Sequence, residues 1–309
     1  MFSGRHVREA VSPQRALEAV RDAFVAYARG EWTMPPKVYV PAYPAGDFRA
    51  MPALGSGHAL LKWVTSFPGN PAHGLPTVTG VVLLSDATNG IPKAILDAAA
   101  VTALRTGAAA VLAAETLGRD GTAAVIGAGV NGEQTAATFR ARGREVVLWD
   151  LNERRAQDVA ARLGAGARVV SREEALAADA VVTVTPGKEI VLRAGALRPG
   201  QHASLMGADG PGKQEIAVEE LARVRVFCDD WEQASHNGDL VHAVEARVLA
   251  HADVTQLGDV LAGTARGRVA DDEVTVFDST GLAIQDLAIA LAALERAAEL
   301  EDLPQIELS

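Results

Sequence analysis

Apolar residues recur at helical spacing across residues 13–29, where Leu17, Val20, Phe24 and Tyr27 share one face. Ser12 supplies an N-cap, Pro13 suits the first helical position and Gly30 suits the stop. Between 31 and 96 the pattern changes. That stretch carries most of the prolines, many glycines and β-rich runs such as TVTGVVLL at 77–84. It predicts a mixed antiparallel sheet with long loops. Residues 98–117 return to helix. From Thr122 the chain alternates: a strand at 123–126, a helix at 131–142, a strand at 145–149, a helix at 153–163. Further strands are predicted at 168–170, 180–185, 202–206, 223–227 and 274–277, and a long alanine-rich helix at 282–300.

Short apolar strands separated by helices indicate a parallel sheet covered on both faces. The fold class expected is α/β: a Rossmann-type, doubly wound parallel sheet over residues 119–278, beside an α+β domain over 1–118. The last helix has no strand after it, so it is expected to pack back on the first domain, which then includes 279–309.

The chain has 309 residues, a length for which two domains are the natural expectation and which can bury a sizeable core. Apolar residues make up 49% and charged residues 22%, the balance of an ordinary globular protein. The net charge of -10 argues against broad nucleic-acid binding, yet leaves room for a local cationic pocket. The single cysteine, Cys228, excludes an internal disulfide and a cysteine zinc site, and its apolar neighbours read as those of a buried thiol. The histidines show no metal-binding spacing, so no metal is expected. The N-terminus lacks a secretory pattern, and the apolar stretch 98–117 is interrupted by Arg105 and Glu115, so a membrane span is not expected and the cytoplasm is.

Gly127-Ala128-Gly129-Val130-Asn131-Gly132 is a G-x-G-x-x-G placed between a predicted strand and a predicted helix. Gly127 permits the tight turn, Gly129 lets a pyrophosphate approach the backbone, and Gly132 lets helix and strand come close. The helix start, with Val130 and Asn131, presents N–H groups to the diphosphate. Asp150 ends the second strand at the distance expected of a ribose-binding acid, which favours NAD over NADP; Arg154 and Arg155 stand nearby.

A dinucleotide site leaves the chemistry open. Lys62 lies in the apolar run LLKWV, and Arg105 lies beside Val101, Leu104, Ala108 and Ala109. A buried cation requires an acceptor, either an internal carboxylate or a ligand's carboxylate or phosphate. Lys37 and Arg49 add cations near proline-constrained turns. Asp209 lies just past a predicted strand end, where an acid can act as general acid or base or simply occupy a turn.

The segments MPPKVYV, DFRAMPA, LKWVTSFPGN, GLPTV, ALRTGAA, IGAGVNG, GADGPGKQE and VFDSTGLAIQD occur in the order seen in the ornithine cyclodeaminase/mu-crystallin family. The chain resembles that family from about residue 12 to 290, and within it resembles the archaeal-type alanine dehydrogenases most. The resemblance implies a homodimer, with substrate binding and dimerisation in the first domain and NAD in the second. By motif position it implies that Lys37, Arg49, Lys62 and Arg105 bind substrate, with Lys62 next to the carbonyl or imine. Asp209 then matches the catalytic acid, and Thr106, Thr185, Gly207, Lys213 and Ser279 match cofactor contacts. Ornithine cyclodeaminases tend to carry a Glu ahead of the Met-Pro pair; Arg49 stands there instead and would repel a diamine's distal ammonium. The expected reaction is reversible NAD-dependent deamination of L-alanine to pyruvate and ammonia. The alternatives are an ornithine cyclodeaminase-type lyase, an imino-acid reductase, and a cofactor-dependent binding protein of the mu-crystallin kind.

Overall fold

A computed structural model describes residues 1–210 and 212–305. The chain forms two compact units, Met1–Arg105 with Leu282–Ser309, and Thr106–Gly281.

The first unit opens with helix α1 (Gly4–Ala10), capped by Ser3, and α2 (Pro13–Ala28), where the Ser12 side chain accepts from the Arg15 amide. Five strands follow: β1 (Val38–Ala42), β2 (Gly46–Gly55), β3 (His58–Ser66), β4 (Val78–Asp86) and β5 (Pro92–Asp97). They pair in sequence order, antiparallel throughout. Alternation along β2, β3 and β4 sends Met51, Leu60, Val64, Val82 and Leu84 to a buried face. The C-terminal helix Ala283–Glu295 packs on that face and on α2. Its alanines let it lie close to the sheet, and Ala283 through Ala290 are all buried. This helix stops at Glu295 and passes into a 3-10 turn, Ala297–Glu299, short of the predicted residue 300. The apolar pattern ends at Leu294, and the polar residues that follow have no core to cover.

Helix α3 (Ala98–Leu117) is continuous across the boundary between Arg105 and Thr106. Among the described residues it alone is long and apolar enough to cross a membrane, and 83% of its most apolar window is buried inside the protein.

The second unit is built on β6 (Ala123–Ile126), β7 (Val146–Trp149), β8 (Ala167–Val169), β9 (Ala180–Thr183), β10 (His202–Leu205), β11 (Arg225–Cys228), β12 (Val254–Gln256) and β13 (Thr275–Asp278). The order is β12-β11-β13-β10-β9-β6-β7-β8, and every pair is parallel. Helices α4 (Val130–Ala141) and α5 (Glu153–Leu163) connect β6 to β7 and β7 to β8. The strand order reverses between β6 and β9, and in doubly wound sheets ligands bind beyond the strand ends at such a switch. The three-residue edge strand β12 and the short helix α1 carry too few residues to show a period, and neither is predicted by the sequence pattern.

Candidate active site

In the second unit, β6 runs into the glycine loop at the switch point. Gly127 has φ 110°, a left-handed value that favours glycine, and a Cβ there would come within 2.5 Å of the Val184 carbonyl oxygen. A Cβ at Gly132 would overlap the Gly127 oxygen, so α4 can start this close to β6 only without one. Gly129 is the reverse case: the position its Cβ would take has no heavy atom within 4 Å. Gly129 is also the N-cap of α4 and makes no side-chain capping bond, so no side chain covers the helix start. Val130 is 68% exposed beside it. Asp150 ends β7 and accepts from the Ala128 amide on Oδ2 and the Asn152 amide on Oδ1, both at 2.7 Å. It thus fixes the loop as well as presenting a carboxylate. Thr106 is buried, and its Oγ1 has no hydrogen-bond partner. Open space over Gly129, an uncapped helix start, an acid at the β7 end and an orphaned buried hydroxyl together fit a dinucleotide.

The loops after β9, β10, β11 and β13 are tied by buried acids that the sequence reading missed. Glu215 accepts from Thr183 Oγ1 at 2.8 Å, Thr185 N at 2.9 Å, Thr185 Oγ1 at 2.6 Å and Gly207 N at 2.8 Å. It therefore joins Thr185 and Gly207, two of the expected cofactor contacts, and burial pushes its pKa up. Asp239 takes the amides of Glu215 and Ile216 on Oδ1. Burial, then the Glu215 charge, raises its pKa to about 8. Asp278, raised by burial and by Asp239 and Asp229, accepts the Leu240 amide. Asp229 gathers Ser279 Oγ at 3.0 Å, Thr280 Oγ1 at 3.2 Å and Gly281 N at 2.8 Å. Ser279 thus points its hydroxyl at Asp229. Asp209 pairs with Lys213, whose Nζ also reaches the Gly207 carbonyl at 3.4 Å. The available signal was an acid closing an apolar strand, as in TVFD and RVFCD, and the Glu at the end of GADGPGKQE.

In the first unit, Lys62 on β3 is 1% exposed and lies between Met51 and Val82 on the buried face. Its Nζ donates to Asp286 Oδ1 at 2.9 Å, and Arg105 Nε lies 3.8 Å from the same oxygen. The acceptor left open by the sequence is thus an internal carboxylate on the C-terminal helix. A lone acid in the apolar run LAIQDLAIAL was the signal for it. Arg49 shares the buried face: Nε donates to Asp47 Oδ1 at 2.6 Å, and the guanidinium lies 5.4 Å from the Tyr39 ring centroid. Lys37, partly buried, immediately precedes β1. Among the described residues, Arg49 pairs with Asp47 on this face, and Lys62 and the partly buried Arg105 both approach Asp286.

Among the described residues no group of side chains has the make-up of a metal site. The model of the ornithine cyclodeaminase/mu-crystallin family matches residues 1–301. Alanine dehydrogenase of Archaeoglobus fulgidus is 43% identical, over 96% of this chain and 94% of its own. A solved archaeal alanine dehydrogenase dimer with bound NAD superposes with TM-score 0.91 at 42% identity, covering 96% of this chain and 95% of that one. The Δ1-pyrroline-2-carboxylate reductase of Thermococcus litoralis, solved with NADH and L-proline, gives TM-score 0.90 at 27% identity, with 96% and 97% coverage. The chain therefore belongs to the ornithine cyclodeaminase/mu-crystallin family.

Proposed function

We propose that this protein is an NAD-dependent L-alanine dehydrogenase of the cytoplasm, catalysing the reversible deamination of L-alanine to pyruvate and ammonia. The observation that carries the reading is the Arg49 guanidinium on the buried face of the first unit, which suits a substrate carboxylate and not a distal ammonium. Arg49 is central to it, since a guanidinium presents a planar fork to a carboxylate. The similarity to the Archaeoglobus enzyme supports the same substrate.

NAD, held by the Gly127–Gly132 loop, Asp150, Thr106, Thr185, Gly207, Lys213 and Ser279, would supply the hydride acceptor, and NADH the donor in reverse. Arg49, Arg105 and Lys37 hold the substrate carboxylate and fix its orientation. Lys62 donates a hydrogen bond to the carbonyl oxygen of pyruvate or the carbinolamine oxygen, stabilising the negative charge that grows there. Asp209 takes and returns protons as ammonia or water adds and leaves.

The working form is a homodimer, as the solved relative is. The second copy would cover the outer face of the five-stranded sheet, where Val38 on β1, Trp63 on β3 and Val81 on β4 lie in register through Ala50 of β2 and are 56%, 38% and 47% exposed.

A second reading, reduction of a cyclic imino acid, is favoured by the likeness to the Thermococcus reductase. NADH oxidation with pyruvate plus ammonium and with 1-pyrroline-2-carboxylate, beside proline and ammonia release from ornithine plus NAD, separates these. Turnover of the cyclic imine with none of pyruvate would overturn the alanine assignment.

A further inference from the structure

Asp286 is fully buried in the apolar helix Ala283–Glu295 and has no part in the roles above. Its Oδ1 faces both the Lys62 ammonium and the Arg105 Nε. An ammonium buried without an anion sheds its proton to escape desolvation, whereas a guanidinium cannot. Two cations this close also repel each other unless an anion stands between them. The elements packed around Lys62 bring Asp286 from the C-terminal helix, Arg105 from α3, and Arg49 with Asp47 from β2; β4 places Val82 beside it. Asp286 is thus a carboxylate in direct contact with the ammonium. The network is also incomplete: Asp286 Oδ2 and Arg105 Nε are buried and make no hydrogen bond. A purely structural ion pair is stabilising only when such valences are filled.

We propose that Asp286 is the positioning residue of the reaction. It keeps Lys62 charged and aimed as a hydrogen-bond donor. This rests on the substrate-side roles given above to Lys62 and Arg105.

The test is Asp286→Asn, which keeps the shape and one acceptor oxygen but removes the charge. NADH affinity, read by fluorescence titration, is expected to stay at the wild-type value. The kcat/KM for pyruvate at saturating ammonium is expected to fall about tenfold or more near pH 7. Loss of the anion lowers the Lys62 pKa, so the protonated donor disappears at a lower pH than in wild type. The variant-to-wild-type ratio therefore declines as pH rises, by about tenfold per pH unit above the lowered pKa, while the ammonium equilibrium cancels. In a Lys62→Met background the same substitution is expected to cost nothing further. A ratio flat with pH, or full activity, would overturn the proposal, because a structural role lowers activity equally at every pH. If Asp286→Asn does not fold, Lys62→Met/Asp286→Asn is expected to fold, since the Lys62–Asp286–Arg105 trio then carries the same net charge as in wild type. Failure of that rescue would also refute it. If wild type prefers the cyclic imine to pyruvate, the ratios are measured with that substrate, so the substrate assignment and the role of Asp286 fail separately.

Discussion

Replacing Gly129 by Ala separates cofactor binding from folding, because the two demands on this residue differ. Its φ of -80° and ψ of -171° are open to alanine, and its Cβ would meet nothing within 4 Å. Fewer unfolded conformations would stabilise the variant by about 0.4–1 kcal/mol. Alanine is a poorer N-cap than glycine, which offsets a similar amount, about 0.5–1 kcal/mol. Thermal stability should therefore stay within about 0.5 kcal/mol of wild type. The methyl group, however, fills the space that lets a pyrophosphate reach the loop amides. Losing one such charge-assisted hydrogen bond costs about 2 kcal/mol, or about thirtyfold in Kd. NADH fluorescence titration and thermal unfolding, with and without NADH, read both effects. Gly132→Ala is the contrast: its Cβ collides with the Gly127 oxygen, so stability and affinity should fall together. A Gly129→Ala protein that binds NADH normally, or one destabilised as Gly132→Ala is, would refute the reasoning.

Further expectations concern chemistry, pH and assembly. Asp209→Ala should cut turnover by about 100-fold or more while NADH affinity stays nearly unchanged; full activity would remove Asp209 from the mechanism. Asp239, at about 8 in the fold against 3.8 unfolded, makes stability fall as pH rises between those values. His202, held at about 3 by burial against 6.5, makes it rise from 3 to 6.5 and adds nothing above. Between pH 6.5 and 8 Asp239 should therefore cost the fold about 2 kcal/mol in denaturant titrations, with Glu215 and Asp278, also raised, acting in the same direction. Asp239→Asn, which keeps the Oδ1 acceptor, should make that slope shallower, and a wild type already flat there contradicts the account. Trp63→Glu on the exposed sheet face should shift sedimentation from dimer to monomer; an unchanged dimer would place the interface elsewhere.

The alternating strands and helices from Thr122 were legible because each parallel strand is a short apolar run with its own turn. The glycine loop between β6 and α4 was legible for the same reason: glycines at fixed offsets answer to backbone sterics that act locally. The antiparallel sheet showed itself through proline-rich composition and β-rich runs, without its register. What the sequence hid was pairing. Lys62 and Asp286 are 224 residues apart, and nothing local tells a lone buried cation which carboxylate will meet it. Glu215 is hidden likewise, since its partners Thr183, Thr185 and Gly207 come from the ends of β9 and β10. Arg49 stood out as a cation, but its neutralisation by Asp47 two residues earlier becomes visible only once β2 alternation puts both on one face.

The most direct test of the central claim is the oxidation of NADH by purified protein given pyruvate and ammonium, followed by absorbance. The account predicts NADH loss that requires both compounds and yields L-alanine, with Lys62→Met slowed by about 100-fold or more yet still binding NADH. No oxidation with pyruvate and ammonium, in a protein that binds NADH, would contradict it.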